Sequence, residues 1–252
     1  MARPSGPDAE NALLRRLRAA PALALLLDYD GTLVPFATAP ELARPDASLV
    51  RLLEALARRP ATQVHVVSGR THESLEELLG DLPIGLHAEH GLWSRSPGRA
   101  WTRRPLGDLS WLATAKEIVD AAAAQTPGSR VEAKVGGFSW HYRGAEPELG
   151  RRNASVLIAT LEHALPREGA HVFTGDHVVE IRPCGVHKGL VVPPIAAALP
   201  DGAAVVGMGD DVTDDDLLAA TPIAVRVGPR TGAADLALDD THAARAWLAK
   251  LL

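Results

Sequence analysis

The chain has 252 residues, is 46% apolar, carries a formal net charge of −5 and contains a single cysteine. That is enough apolar sequence for one large domain, or a core with a smaller module. The acidic balance lacks the basic footprint of a nucleic-acid binder, and one cysteine, Cys184, excludes an internal disulfide framework.

Residues 1–10 read as a disordered lead-in, and residues 11–19 have helical spacing. Arg15, Arg16 and Arg18 before an apolar run mimic a signal peptide. The run is short, meets Asp28 and has no small-residue cleavage site after it, so it reads as a buried strand, Leu23–Leu27. No run reaches the roughly 18 apolar residues of a membrane helix. The expectation is a cytoplasmic monomer with no membrane partner. Residues 46–58 predict an amphipathic helix capped by Asp46. A second buried strand, 63–67, ends in Ser68-Gly69-Arg70, and residues 71–79 predict the next helix. Alternating strands and helices at this spacing predict βαβ units, hence an α/β fold with a parallel sheet.

After a short strand and turn at 84–91 the character changes. Trp93, Trp101 and Trp111 are interspersed with arginines; a helix at 111–124 is followed by antiparallel-looking strands at 130–134 and 137–143, a helix at 153–165, and strands at 171–173 and 178–181. This predicts an inserted α+β module at 99–176, with a core of 1–98 and 177–252. The parallel pattern returns with a helix at 187–199, a strand at 203–208 ending in Gly209-Asp210-Asp211, a short helix at 214–220, a strand at 223–227 and a closing helix at 243–251.

Three buried strands thus end in polar loops: Asp28/Asp30, Ser68/Arg70 and Asp210/Asp211. Carboxylates beside a buried strand are costly unless paired. In an open parallel sheet, ligands bind beyond the carboxyl ends of the strands, so the loops should converge. Two acidic loops favour a hard cation such as Mg²⁺. Ser68, Arg70 and the N–H groups of a helix start favour a phosphate, and Lys188 adds a positive charge.

Asp28-x-Asp30-Gly31-Thr32, Ser68-Gly69-Arg70, Lys188 and Gly209-Asp210-Asp211-x-Thr213-Asp214-Asp215-Asp216 resemble, in order, the four motifs of the haloacid dehalogenase superfamily of phosphotransferases. Glu89-His90-Gly91, Glu132-x-Lys134, His141-Tyr142-Arg143, Glu180-Ile181-Arg182-Pro183 and Lys188-Gly189 narrow the resemblance to the trehalose-6-phosphate phosphatases. Two departures stand out: Asp215 where Glu is usual, and Gly136-Gly137 before Phe138.

The resemblance implies a Rossmann-like parallel-sheet core with an inserted α+β cap that closes over a sugar phosphate. It implies Mg²⁺-dependent hydrolysis of trehalose 6-phosphate in trehalose biosynthesis. Asp28 is then the nucleophile that forms an aspartyl-phosphate, and Asp30 the general acid and base. The metal falls to Asp28, the Asp30 carbonyl and Asp210, with Asp211 or Asp214 behind them. Thr32, Ser68, Gly69, Arg70 and Lys188 surround the phosphoryl group. Glu132, Lys134, Arg143 and Glu180 take the sugar, Arg143 contacting it or bracing Glu132. Another sugar-phosphate phosphatase of the superfamily (sucrose-phosphate or mannosyl-phosphoglycerate type) is the alternative, and a sugar-phosphate sensor the non-enzyme one.

Taken singly, the motifs have ordinary readings. Asp28 and Asp30 suit a helix cap or structural Ca²⁺, Ser68-Gly69-Arg70 suits a helix start, and Glu132/Lys134 suits a surface ion pair on one strand face. His87, His90 and His141 lack a zinc-ligand spacing, and the tryptophans suit packing.

Overall fold

The computed structural model describes residues 7–37, 40–230 and 232–252. In chain order the elements are α1 (Pro7–Ala19), β1 (Leu23–Leu27), α2 (Ala47–Arg58), β2 (Thr62–Val67), α3 (His72–Leu79), β3 (Gly85–Ala88), β4 (Trp93–Arg95), β5 (Thr102–Arg103), α4 (Leu112–Ala124), β6 (Arg130–Lys134), β7 (Gly137–His141), α5 (Pro147–Ala164), β8 (Ala170–Gly175), β9 (Val178–Pro183), α6 (Val192–Ala197), β10 (Ala204–Gly209), α7 (Asp215–Ala220), β11 (Ile223–Val227), β12 (Leu236–Leu238) and α8 (Thr241–Ala249). Of the expected lead-in, residues 7–10 belong to α1, because Pro7 begins a run that continues without a break into Leu14 and Leu17 of the core; residues 1–6 lie outside the described set.

The chain forms two compact units. The first comprises residues up to Ala37, Ala43–Arg103 and His187–Leu252, and the second comprises Arg104–Val186 with the short turn Pro40–Leu42. The second unit runs to Val186, where the sequence suggested 176, because β9 pairs with β7 and β8. It begins at Arg104, where the sequence suggested 99, because β4 and β5 extend the sheet of the first unit.

The first unit is a Rossmann-like three-layer α/β fold. Its sheet order is β12-β11-β10-β1-β2-β3-β4-β5, with β12 through β3 parallel and β4 and β5 antiparallel additions. Leu23, Leu25 and Leu27 of β1 face a core shared with α1, α2, α3 and α8, whereas Ala24 and Leu26 face α6 and α7. A strand buried on both faces reads as a continuous apolar run, which is why Leu23–Leu27 shows no alternation. Asp46 caps α2 by accepting from the Ser48 and Leu49 N–H groups, and Thr71 caps α3. The chain leaves β1 toward β2 and β3 and returns on the other side at β10, so the strand order reverses at β1. That reversal opens the crevice in which such sheets bind ligands.

The second unit is a four-stranded antiparallel sheet, β6-β7-β9-β8, with one face against α4 and α5. Trp111, Trp140, Leu157, Leu161, Val179 and Ile181 fill its core. Gly137 is required here: a Cβ would meet the Ile181 carbonyl oxygen at 1.9 Å. Gly137 therefore allows the close approach of β7 to β9.

Candidate active site

Asp28 is the first residue beyond β1, and its N–H donates to the Met208 carbonyl (2.9 Å), extending the β1–β10 ladder to the edge of the crevice. Its carboxylate is buried against Lys188 Nζ at 2.5 Å, and Lys188 reaches Asp214 Oδ1 at 2.6 Å. Asp214 is wholly buried, and its Oδ2 accepts from the Asp210 and Asp211 N–H groups (3.1 and 3.0 Å). One carboxylate thus shapes the acidic loop and anchors the lysine.

Thr32 Oγ1 donates to Asp210 Oδ1 at 2.9 Å, tying the first loop to the last across 178 residues. Gly31 makes that contact possible. Its φ is +84°, and a Cβ would lie 2.2 Å from Asp210 Oδ2. Asp211 turns back to accept from the Val212 N–H and caps the turn at 212–214. Asp28, Asp210 and Asp214 each offer an oxygen, and these oxygens lie within 4.8 Å of one another; among the described residues they form the group able to hold a metal ion. Three carboxylates crowded in this way suit a hard divalent cation.

Ser68 is buried, and its Oγ accepts from the Arg70 N–H. Glu89 and His90 hold this second loop in place. Both adopt left-handed backbone (φ 45° and 57°), a strain of about 1 kcal/mol or more per residue. In return their N–H groups donate to the Arg70 and Ser68 carbonyls at 2.9 and 3.0 Å. The 68–69 peptide is trans, so capturing its C=O on the β3 side turns the Gly69 N–H away from β3, toward the side where β1 and Asp28 lie. The strain has no local signature in composition or spacing; only the Glu89-His90-Gly91 motif pointed to this loop.

Arg70 is 7% exposed and meets Asp30 as a fork, with Nε donating to Oδ2 and Nη2 to Oδ1, both at 2.7 Å. The side chain expected near the phosphate is thus engaged with the second aspartate of the first motif. Asp215, the departure from Glu, accepts from Arg226 and Arg230 and takes no part in the acidic cluster.

The second unit carries its own polar set. Register places Glu132 opposite Ser139, and Ser139 opposite Glu180. These residues share one sheet face, while Val131, Phe138, Trp140, Val179 and Ile181 occupy the apolar face over α4 and α5. Lys134 bridges to Glu180, which also accepts from Ser139 Oγ at 3.1 Å. Burial works to raise the Glu132 carboxyl, but the hydrogen bond with His141 (3.0 Å) and the Lys134 charge outweigh it and hold it below the ordinary carboxylate range. Arg143 reaches Asp176 on the β8–β9 turn, at 2.6 Å, and His141 braces Glu132.

Electrostatics separate the two units. Burial, then the neighbouring Asp214 charge, pushes Asp210 up to about 7. Asp28 is raised well above the ordinary carboxylate value by burial and by Asp214, against the opposing pull of Lys188. Asp211 is raised too, mainly by burial. A raised carboxyl favours folding while protonated, so this contribution is complete below the unfolded value of 3.8 and is lost as pH rises through about 7. Protein treated with EDTA should therefore melt at a lower temperature at pH ~8 than at pH ~5. A divalent cation should raise Tm more at pH ~8, because at pH ~5 it must displace the Asp210 proton. An equal cation-induced shift at both pH values would remove Asp210 from the ligand set.

At the level of fold, the chain resembles haloacid dehalogenase-like hydrolases: one from Bacteroides thetaiotaomicron superposes with a TM-score of 0.65 at 13% identity, over 92% of this chain and 99% of that one. The C-terminal domain of C. albicans trehalose-6-phosphate phosphatase superposes with a TM-score of 0.91 at 28% identity, over 99% and 98% of the two chains. The bifunctional trehalose-6-phosphate synthase/phosphatase of Thermoproteus tenax is 41% identical over 231 residues, 90% of this chain and 31% of that protein. The trehalose-phosphatase family model matches residues 26–222. The chain belongs to the trehalose-phosphatase family. It spans about a third or less of the length of curated relatives that it matches. Among the described residues, no helix is long and apolar enough to cross a membrane.

Proposed function

We propose that this chain hydrolyses trehalose 6-phosphate to trehalose and phosphate. The observation that carries this is the meeting of the loops after β1 and β10 with Lys188 beside the Asp28 carboxylate, and the tie of the loop after β2 to Asp30 through Arg70, in a member of this family. An Asp28 oxygen attacks phosphorus, and the bond from phosphorus to the sugar oxygen breaks as Asp30 protonates that oxygen. Water then attacks the aspartyl-phosphate, Asp30 takes its proton, and phosphate leaves with Asp28 restored. Lys188 keeps a positive charge beside Asp28, and the Gly69 N–H, with Ser68 and Thr32 in the adjoining loops, suits the phosphoryl oxygens. Asp28 and Asp210, with Asp214 behind them and the Asp30 carbonyl nearby in sequence, would hold the cation, for which we propose Mg²⁺. Bound there, it supplies positive charge to the phosphoryl oxygens.

For the sugar we propose the polar face of the second unit. Glu132, Lys134 and Glu180 are charged groups that can each make several hydrogen bonds to hydroxyls. Each bond to a charged group is worth about 1.5–3 kcal/mol, so Glu132→Ala should cut kcat/KM for trehalose 6-phosphate by roughly 10- to 100-fold and leave a small aryl phosphate nearly unaffected. Equal losses on both would remove Glu132 from sugar recognition. The defining assay is phosphate release from trehalose 6-phosphate, sucrose 6-phosphate and glucose 6-phosphate with Mg²⁺ or EDTA. Release should favour trehalose 6-phosphate, stop in EDTA and return with Mg²⁺. Comparable release from all three would sink the substrate assignment.

A further inference from the structure

The Arg70 fork has a more specific meaning than charge near a phosphate. A phosphate ligand should present free N–H groups to the site. Arg70 instead directs Nε and Nη2 at both oxygens of Asp30, each at 2.7 Å. The rest of the guanidinium is also held: its carbon lies 5.0 Å from the centre of the Tyr29 ring, Nη2 lies 3.4 Å from the Ala43 carbonyl oxygen, and Nη1 lies 3.4 Å from Ser74 Oγ. Tyr29 is itself fixed, buried with its hydroxyl donating to Ala43 O at 3.1 Å. The arginine is buried whereas the Asp30 side chain is 28% exposed, so the rigid partner is Arg70 and the carboxylate is what it orients. A bidentate fork fixes the plane of a carboxylate as well as its position, which a point charge does not.

We infer that Arg70 is a positioning residue that acts through Asp30: the fork takes one lone pair on each carboxylate oxygen and leaves another to carry the proton given to the leaving sugar oxygen and then the one taken from water. This rests on the proposed reaction, and it assigns Arg70 to the proton-transfer half of the site rather than to the phosphoryl half. The distinction is measurable because kcat/KM reports the first phosphoryl transfer. A sugar alkoxide is a poor leaving group and needs its proton, whereas nitrophenolate leaves without one.

The experiment compares wild type, Arg70→Ala, Arg70→Lys, Asp30→Asn and the Arg70→Ala/Asp30→Asn double variant on trehalose 6-phosphate and 4-nitrophenyl phosphate, with inhibition by inorganic phosphate measured alongside. General acid–base contributions run about 10²–10⁴-fold. Arg70→Ala should lose about 100-fold in kcat/KM on the sugar phosphate and less than about 5-fold on the aryl phosphate, with phosphate inhibition unchanged. Arg70→Lys should recover only part of the loss, since it restores charge without the fork. In the Asp30→Asn background, Arg70→Ala should cost almost nothing more. Equal losses on both substrates with weakened phosphate inhibition would overturn the inference and return Arg70 to the phosphate. An unselective Asp30→Asn would instead overturn the general-acid reading on which the inference rests. Should Arg70→Ala fail to fold, Arg70→Lys and Asp30→Asn give the same comparison.

Discussion

Asp28→Asn should abolish phosphate release while leaving the fold as stable as before, or more so. The amide keeps the shape of the carboxylate and removes the attacking oxygen, so the expected loss is at least about 10⁴-fold. The sign of the stability effect follows from the surroundings. Burial and the charge of Asp214, and behind them Asp210, all disfavour an ionised Asp28, and only Lys188 opposes them. A neutral amide escapes that conflict, and Lys188 keeps its bond to Asp214. In EDTA at pH ~8 the variant should melt at or above the wild-type temperature, and the Tm gain from Mg²⁺ should shrink because one ligand is weakened. A purely structural carboxylate predicts the reverse: lower stability with turnover retained. A rate within about 10-fold of wild type would remove Asp28 as nucleophile.

The sequence exposed those parts of the molecule that short-range rules govern. β1 and β10 appeared as continuous apolar runs because both their faces are buried, and the α2 cap was visible because Asp46 precedes an amphipathic repeat. β4, β5 and β12 were missed because two or three residues carry no period. The helix expected at 187–199 opens instead as a 3₁₀ turn at Lys188–Val191, with Pro193 and Pro194 confined to the start of α6. At the site, the convergence of Asp28, Lys188 and Asp210 was legible from motif order and from where parallel sheets bind ligands. The pairing inside it was not. That Thr32 serves Asp210, that Asp214 anchors Lys188, and that Arg70 grips Asp30 depend on side-chain directions separated by up to 178 residues. Spacing along the chain carries no information about those directions. The same holds for His141, whose alternation with Ser139 along β7 placed it on the Glu132 face only once the register with β6 was fixed.

Lys188→Met should be the most destabilising single change in the site, and its cost should depend on the carboxylates around it. Lys188 is buried, and its charge is held by Asp214 and Asp28; burial alone would lower its affinity for a proton, yet the two carboxylates raise it above the ordinary lysine value. Methionine fills nearly the same volume, so the loss is one of charge rather than packing. Removing one partner of a buried ion pair leaves the other uncompensated and costs about 3–5 kcal/mol. Here Asp28, Asp210 and Asp214 would remain together without their cation, and turnover should fall with stability. Two conditions should restore stability without restoring the lysine. Lower pH protonates the Asp28 and Asp210 carboxyls, whose raised values already favour the neutral form. Saturating Mg²⁺ supplies the missing charge. Adding Asp28→Asn to Lys188→Met should also recover part of the lost stability while leaving the enzyme inactive, a coupling of opposite sign to the single effect. If urea unfolding finds the double variant no more stable than Lys188→Met, charge balance is not what holds the three strand ends together.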